Sequence, residues 1–359
     1  MSTSPPPDDP LPVELPVVPM PAPGVGPLPP WPATVEAHKS TIVGQDVLVS
    51  LHDDQLPPHR RRRWLPLCLF AATCVMTFMA GCYNWYPAFL GESIGLAGPR
   101  GLRIEIPFWE IVRVNWHDGL TFMAGVMSVL LFHEMGHFLM TLRYRVPASY
   151  PYFIPLPVMI TGTMGAVISM DGSKANRKEL FDIGLAGPLA GLVLTIPLIV
   201  IGIQTATYGP IHVGQRYYGD PLLVQLLIPW LRDLPPGHEL NVNPIYMAGW
   251  VGMLITGLNM LPVSQLDGGH VAYAVLGRYA RWLGRLLLVV AWAFVIYTFI
   301  QTRTLTWVLM LVIIVIIGID HPPTADDSVR LGPLRWVLGL VSLLIPIFCF
   351  MPVPLGVVR

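Results

Sequence analysis

The sequence predicts an all-α polytopic membrane protein with about six to seven transmembrane helices and a membrane-associated β-hairpin. Of its 359 residues, 53% are hydrophobic and 12% are charged, whereas a soluble domain averages about 25% charged residues. Mean hydropathy is +0.57, and the apolar residues lie in runs close to the ~20 residues that a helix needs to cross a bilayer. The formal net charge is zero, which excludes a global field that attracts nucleic acid.

The first two segments are a tail and a first span. Residues 1–58 are rich in proline and lack periodicity, which predicts a disordered cytoplasmic tail with polyproline-II character. The motif "HRRRR" follows at 59–63 and is typical of a cytoplasmic anchor. We therefore interpret residues 59–118 as the first transmembrane helix, from 64 to about 87, followed by an outer loop.

Six further apolar runs are candidate spans. An N-terminus inside and a C-terminus outside place about two thirds of the 22 Lys and Arg residues inside, as the positive-inside rule requires. The last three runs make up a C-terminal group of transmembrane helices over residues 276–359. The six runs are about 119–140, 180–205, 245–263, 283–300, 305–319 and 334–352.

The apolar segment 146–173 is unlike a spanning helix. Four prolines lie in its first dozen residues, and "TGTMGAVISM" then alternates around glycines. This pattern predicts a re-entrant or membrane-skimming β-hairpin on the cytoplasmic side.

The stretch "LLFHEMGHFLM", residues 130–140, carries ionisable side chains inside an apolar run. His133 and His137 fall on one face of a helix, one turn apart, which suits two ligands of one zinc ion. Glu134 is placed to reach a metal-bound water as general base. The alternative is a hydrogen-bonded histidine pair with Glu134 as its partner. The cost of burying three such groups in a bilayer favours a functional site.

A catalytic zinc site needs a third protein ligand. The stretch "GLNMLPVSQLDGGH", residues 257–270, ends the fourth span on the same membrane face. Asp267 is the first candidate there, and His270 is a rival as a ligand or proton-transfer helper. His117 and Asp118 lie at the outer end of the second span, roughly two dozen Å away. Two lone acids at span ends are expected at the interface, Asp182 and Asp320.

The four cysteines form no CxxC pair and predict neither a disulfide framework nor a Cys-based zinc site. We interpret them as small buried hydrophobic residues. They are Cys68, Cys74, Cys82 and Cys349.

Four motifs in order resemble the site-2 protease family of intramembrane zinc metalloproteases. They are "HEMGH", "FIPLPVMITGTMGAVISM", "RKELFDIGLAGPLAGL" and "NMLPVSQLDGG", and they fall within residues 119–275, which we take as a site-2 protease-like metalloprotease core. The resemblance implies zinc ligands His133, His137 and Asp267 and the catalytic base Glu134. It also implies that Asn259 binds substrate or stabilises the oxyanion. The small residues of "AGPLAG", 186–191, are expected to allow close helix packing.

The resemblance also implies a biological setting. The chain would be a zinc-dependent intramembrane endopeptidase acting in regulated intramembrane proteolysis. Its substrate would be a single-span transmembrane protein, such as an anti-sigma factor or another membrane-tethered regulator, already trimmed by another protease. The short loops suggest a multi-pass protein of a bacterial inner or plasma membrane, with the active site toward the cytoplasm. No region between the third and fourth spans suits a PDZ-like domain.

Two other functions compete. A membrane zincin that cuts soluble or prenylated peptides would be favoured by a glutamate as third ligand, and "LDGG" disfavours it. A transporter could use the histidines as a metal or proton path, but the sequence shows no internal repeat of the kind that transporters often have.

Overall fold

The computed structural model describes residues 64–85, 94–97, 103–157, 159–214, 216–302, 307–318, 320–351 and 353–357. The predicted tail, residues 1–58, lies outside the described residues, as does most of the loop after the first helix.

Ten α-helices and eight short strands occur in the described parts of the chain. The helices are α1 (Trp64–Cys82), α2 (Phe108–Tyr144), α3 (Arg177–Thr205), α4 (Leu222–Leu231), α5 (Pro244–Asn259), α6 (Asp267–Leu276), α7 (Ala280–Thr302), α8 (Val308–Ile317), α9 (Pro333–Ser342) and α10 (Ile345–Cys349). The strands are β1 (Ile94–Ala97), β2 (Arg103–Ile106), β3 (Tyr152–Pro155), β4 (Thr163–Val167), β5 (Tyr208–Pro210), β6 (Arg216–Tyr218), β7 (His238–Leu240) and β8 (Leu355–Val357). The strands pair antiparallel as β1–β2, β3–β4, β5–β7 and β6–β8.

Helices α2, α3 and α5 form the centre of the molecule. Small residues let α3 and α5 approach closely: a Cβ on Gly202 would lie 2.4 Å from Cα of Tyr246, and one on Gly249 would lie 2.8 Å from a carbon of Ile199. The start of α3 is fixed by a capping box, in which the side chain of Asn176 accepts from two backbone N–H groups and Glu179 bonds back to the Asn176 backbone. Helix α5, which carries the predicted site residue Asn259, is therefore held close to α3.

Four helices are long and apolar enough to cross a membrane within the part of the chain that the structure describes: 64–82, 108–144, 177–205 and 267–301. The predicted count of six to seven spans is not confirmed. Helix α5 has 16 residues and α8 has 10, which at 1.5 Å per residue is short of the hydrocarbon thickness. The predicted last span is divided into α9 and α10, and Pro346 lies in the first turn of α10.

Two predicted boundaries also differ. Helix α2 begins at Phe108 rather than near 119, because its first turns contain charged residues that lower the hydropathy without breaking the helix. The predicted span 283–300 is preceded by helical residues from Asp267, and only a 3₁₀ turn at Gly277–Tyr279 divides α6 from α7. Hydropathy locates the apolar part of a helix, whereas the backbone hydrogen bonds continue beyond it.

Strands β3 and β4 lie in the segment interpreted as a β-hairpin. Tyr152 pairs with Val167, and a bulge lies between Ile154 and Pro155. The pair packs on α1, where the rings of Phe153 and Phe70 are 5.0 Å apart. The membrane association of this hairpin stays a prediction.

Two clusters of loops lie at opposite ends of α3. At its C-terminal end, β5 and β6 follow the helix, and β6 pairs with β8 near the end of the chain. At its N-terminal end lies a segment that we call the strap, residues 320–330. The strap is bound to the start of α3, since the Ala325 N–H donates to the Ala175 carbonyl at 2.9 Å and the Arg177 N–H donates to the Asp326 carbonyl at 3.2 Å.

Candidate metal centre

His133 and His137 point to one place from the C-terminal third of α2. They are 1% and 8% exposed, and their Nε2 atoms are 3.2 Å apart. The four-residue spacing puts both rings on the same helix face. The predicted pairing of the two imidazoles is therefore present.

Asp267 joins them as the first residue of α6. Its Oδ2 atom lies 3.2 Å from Nε2 of His133 and 3.3 Å from Nε2 of His137. One ligand atom from each of the three residues lies within 4.8 Å of the others. The structure thus brings Asp267 to the histidines from 134 residues further along the chain.

The glycines after Asp267 allow this placement. A Cβ on Gly268 would lie 2.0 Å from the Met260 carbonyl oxygen, and a Cβ on Gly269 would lie 2.2 Å from that of Ser264. Real Cβ atoms do not approach so closely, so only glycine lets the turn 260–266 fold back on the start of α6. The "LDGG" pattern therefore serves to position the carboxylate.

The tautomer of His137 is set by a backbone contact. Its Nδ1 lies 2.8 Å from the carbonyl oxygen of Ile183, which can only accept, so Nδ1 carries the hydrogen. Nε2 then presents a lone pair toward the other two ligand atoms, the arrangement that outer-shell partners impose on metal-binding histidines. Gly187 leaves room for the ring, since a Cβ there would lie 2.0 Å from Nε2. The close packing expected of "AGPLAG" is confirmed.

The donor set fits a zinc ion. Two imidazole nitrogens and one carboxylate oxygen are among the ligand sets of catalytic zinc sites, which keep a further position open. The side chains of His133, His137 and Asp267 are only 2%, 11% and 15% exposed. Buried groups of this kind need a metal or partners to offset desolvation, and these three converge on one point.

Two more predicted residues border the cluster. Glu134 is 3% exposed and interacts electrostatically with His133, His137 and Asp267. Asn259 is the last residue of α5, and its Nδ2 lies 3.2 Å from Nε2 of His133. All five site residues predicted from the sequence therefore meet between α2, α5 and α6.

His270 does not join the cluster. Its Nδ1 lies 2.6 Å from Nε2 of His321 in the strap, and the ring of His321 stacks on Tyr273 with centroids 4.5 Å apart. Sequence reasoning missed His321, because a single histidine before two prolines in a polar loop carries no periodic signal.

The other rival acids and histidine also lie elsewhere. Asp182 binds the guanidinium of Arg335 at 2.8 Å and 3.0 Å, and Asp320 is exposed and pairs with Arg285 at 3.2 Å. His117 lies against the ring of Trp116 near the start of α2. None of these belongs to the metal-binding group found among the described residues.

The cysteines are free thiols. Cys82 and Cys349 are buried as expected, Cys74 is partly buried and Cys68 is exposed. The expectation of burial is therefore wrong for Cys68, because no described residue covers that part of α1, where Leu65 and Leu67 are exposed as well.

The chain is similar to plant proteins named as zinc metalloproteases. It is 28% identical over 261 residues to the probable zinc metalloprotease EGY1, chloroplastic, of Arabidopsis thaliana, covering 70% of this chain and 46% of the relative. It is 32% identical over 189 residues to the EGY1 protein of Oryza sativa subsp. japonica, covering 51% and 31%. It is 30% identical over 168 residues to EGY2 of Arabidopsis thaliana, covering 45% and 29%. The chain thus spans less than half the length of these relatives.

These comparisons correct the predicted localisation. The relatives are described as chloroplastic proteins of plants, so the expectation of a bacterial inner or plasma membrane is wrong. The physical reason is that short loops and a bias of Lys and Arg report how a chain is oriented in a membrane. They do not report which membrane it is.

A family model describes the part of the chain that contains the site. Residues 121–300 match the model of peptidase family M50, and this range includes all of the residues that meet at the candidate metal centre. With this match and the converging HEMGH and LDGG motifs, the resemblance to site-2 proteases is confirmed, and the chain belongs to peptidase family M50.

Proposed function

We propose that the chain is a zinc-dependent intramembrane endopeptidase that hydrolyses peptide bonds in or near transmembrane helices. The observation that carries the proposal is the convergence of His133, His137 and Asp267 beside Glu134, on helices apolar enough to lie in a bilayer. Bound Zn²⁺ would act as a Lewis acid and lower the pKa of water, so that a nucleophile forms at neutral pH.

The protein's own groups have separate tasks. His133, His137 and Asp267 hold the ion, and the Ile183 carbonyl keeps the His137 ring oriented. Glu134 accepts the proton of the attacking water and delivers it to the leaving amine as general acid. Asn259 donates its amide N–H to the substrate carbonyl or to the charge that develops on its oxygen.

The proposed organisation follows the site. Residues 119–275 are the metalloprotease core, preceded by a first helix and outer loop over 59–118 and followed by C-terminal helices over 276–359. Residues 1–58 are a Pro-rich tail. The packing of α2, α3, α5 and α6 around one cluster supports 119–275 as the limits of the core.

The substrate we propose is a single-span transmembrane protein in a lipid bilayer, such as a membrane-tethered regulator. A peptide bond inside a helix is shielded by hydrogen bonds, so the substrate must unwind locally. Within the described strands, β4 pairs with β3 alone, and a Cβ on Gly165 would meet no atom within 4 Å. An unwound substrate segment can therefore add to the free edge of β4 as a further strand.

The test is co-expression with a panel of single-span type II membrane proteins that lack their outer domains. We expect the native chain to cleave at least one, and Glu134→Gln to lower the rate by at least about 100-fold while zinc content stays unchanged. The matched control is Glu110→Gln, which alters an exposed glutamate of the same helix.

Three results would contradict the proposal. The native chain could contain no zinc, it could cleave no member of the panel, or Glu134→Gln could cleave like the native chain. A native chain without zinc would indicate that the histidines belong to a transport path or form a polar packing contact. Unchanged cleavage by Glu134→Gln would exclude Glu134 as the general base.

A further inference from the structure

A cavity lies beside the metal centre, at the junction of α6, α7 and the strap. Its volume is about 380 Å³, within the range of small-molecule sites. Ser264 and Gly269 line it, so it shares with the metal centre the turn that carries Asp267. The side chains that line the cavity differ from those of the metal centre, since none of them is a ligand of the proposed zinc ion.

Three arginines line this cavity: Arg177, Arg278 and Arg281. Arg177 is held in place by hydrogen bonds to the carbonyls of Ala274 and Val275 at the end of α6, at 2.6 Å and 3.2 Å. Within the described structure, Arg281 makes no ion pair or hydrogen bond, and Arg278 contacts only its neighbour Tyr279.

Two carboxylates also line the cavity, and both have partners. Asp320 is paired with Arg285 at 3.2 Å. Asp327 accepts hydrogen bonds from the hydroxyls of Tyr273, at 2.8 Å, and Thr324, at 2.7 Å. Arg285 neutralises Asp320, whereas Asp327 keeps its charge because its two partners are neutral hydroxyls. The three arginines therefore leave an excess of two positive charges for an anion.

A buried hydroxyl in the wall also lacks a partner. Ser264 is 5% exposed, and its Oγ has no hydrogen-bond partner among the described atoms. Leaving a buried hydroxyl unpaired is unfavourable. The backbone at Ser264 has φ of 53°, a conformation uncommon for a residue other than glycine, so the hydroxyl is held there by the fold at some conformational cost.

The cavity lies next to exposed aromatic and basic side chains of the 3₁₀ turn Gly277–Tyr279 and of the start of α7. Tyr279 and Trp282 are 60% and 66% exposed. The guanidinium of Arg285 lies over the Trp282 ring, 5.5 Å from its centroid. Such aromatic and basic pairs are typical of the membrane–water interface, where phosphate headgroups are found.

We propose that this cavity binds a phosphate group, presented by an anionic lipid headgroup or by a soluble phosphate compound. Guanidinium groups match the geometry of phosphate oxygens and bind them with paired, charge-assisted hydrogen bonds. Arg278 supplies these from the 3₁₀ turn Gly277–Tyr279 and Arg281 from α7, while Arg177 supplies positive charge from α3. The Ser264 hydroxyl would rotate about χ1 toward the cavity and donate a further hydrogen bond. Binding would join the turn beside the metal centre to the strap, which lines the cavity through His321.

The test measures binding directly and does not depend on proteolysis. The full chain is placed in phosphatidylcholine nanodiscs, and two probes are used: spin-labelled phosphatidylglycerol in the bilayer and inorganic phosphate in solution. We expect Arg281→Gln to weaken binding of the recognised probe by about tenfold, and Ser264→Ala to weaken it by a smaller factor.

The matched control is Arg143→Gln, an exposed arginine of α2 that does not line the cavity. Retention of the lipid probe alone identifies a headgroup site, and binding of inorganic phosphate identifies a soluble ligand. The proposal is overturned if neither probe binds, or if Arg143→Gln weakens binding as much as Arg281→Gln, which would indicate general attraction to a basic surface. Zinc content is measured in each variant as well. If it is unchanged, weaker binding of the probe is not caused by loss of the metal site.

Discussion

At the residue scale, the metal centre depends on two glycines of α3 that have no side chain. Gly187 and Gly191 face the two histidines from α3, and their missing side chains provide the space that the imidazole rings occupy. A helical glycine costs about 1 kcal/mol relative to alanine. The cost is offset here because α2 and α3 approach closely enough for the Ile183 carbonyl to orient His137.

Replacing these glycines by alanine should therefore reduce zinc binding in a graded way. At Gly187 the new Cβ would lie 2.0 Å from Nε2 of His137, and at Gly191 it would lie 3.2 Å from Nδ1 of His133. We expect Gly187→Ala to lower zinc affinity by at least about tenfold, and Gly191→Ala to lower it less. Zinc content after dialysis against a graded chelator series measures this.

Gly172→Ala is the control, since its new Cβ would meet only ordinary contacts at 3.8 Å. Equal zinc content in the native chain and Gly187→Ala would show that the close approach of α2 and α3 does not position the ligand.

At the element scale, α9 packs on Phe181 and Val275 through Gly339, and an ion pair between Arg335 and Asp182 joins it to α3. The Asp182 carboxylate accepts two hydrogen bonds from the Arg335 guanidinium and one from the Tyr144 hydroxyl. The Asp182 side chain is 11% exposed, so removing its charge leaves partners that are partly cut off from water. The sequence suggested only an interfacial acid at this position.

Asp182→Asn should destabilise the protein by about 1–3 kcal/mol. Asp171→Asn is the matched control: its pair with Lys174 is exposed, and such pairs contribute about 0–1 kcal/mol. Thermal unfolding in detergent compares the two variants. Equal midpoints would mean that the Asp182–Arg335 pair does not hold α9 in place.

The strap should respond to acid through His321. Burial is the largest cause that lowers the pKa of His321, so the docked strap favours the neutral ring while a released strap binds a proton more readily. The groups facing this ring are His270, Tyr273 and Asp327. Docking is therefore complete above the ordinary histidine pKa of about 6.5 and weakens as the pH falls below it.

Hydrogen exchange of the amides that bind the strap to α3, those of Ala325 and Arg177, measures this docking. We expect their protection to fall on acidification in the native chain and to change less in His321→Gln. The protection of the two proteins is compared at each pH. The same loss of protection in both would exclude His321 as the responsible group.

At the scale of the whole molecule, the two ends of α3 define two faces. Gly172–Lys174, the strap and Arg335 lie at its N-terminal end, and β5, β6 and β8 lie at its C-terminal end. The strap and β8 lie at opposite ends of α3, so the chain that joins the strap to β8 passes from one face to the other. It does so although the helices in that part of the chain, α9 and α10, are short. The predicted orientation assigns the first of these faces to the inside and the second to the outside.

This arrangement predicts sidedness that can be measured. In a cysteine-free background in sealed vesicles, single cysteines at Ser173 and Ser328, both exposed, should react with an impermeant reagent from one side. A cysteine at Val213, which is 84% exposed, should react from the other side. Detergent should make all three reactive, and reaction of all three from one side before detergent would contradict the arrangement.

From the order of residues alone we could predict the class of protein, the histidine pair with its glutamate, and the order of the motifs. These follow from composition and from helix periodicity, which relate residues only a few positions apart. The sequence also placed Asp267 and Asn259 on the correct face, but it left His270 as a rival. A periodic pattern does not say which way a side chain turns when two helices pack.

The remaining features come from the tertiary structure. It directs the Asp267 carboxylate to the histidines and pairs His270 with His321 of the strap, because the glycine contacts of α3 with α2 and α6 set the position of each helix. It also shows that α5 and α8 are shorter than hydropathy suggested. Such features depend on packing between segments more than one hundred residues apart, as between His133 and Asp267, and no local pattern encodes that distance.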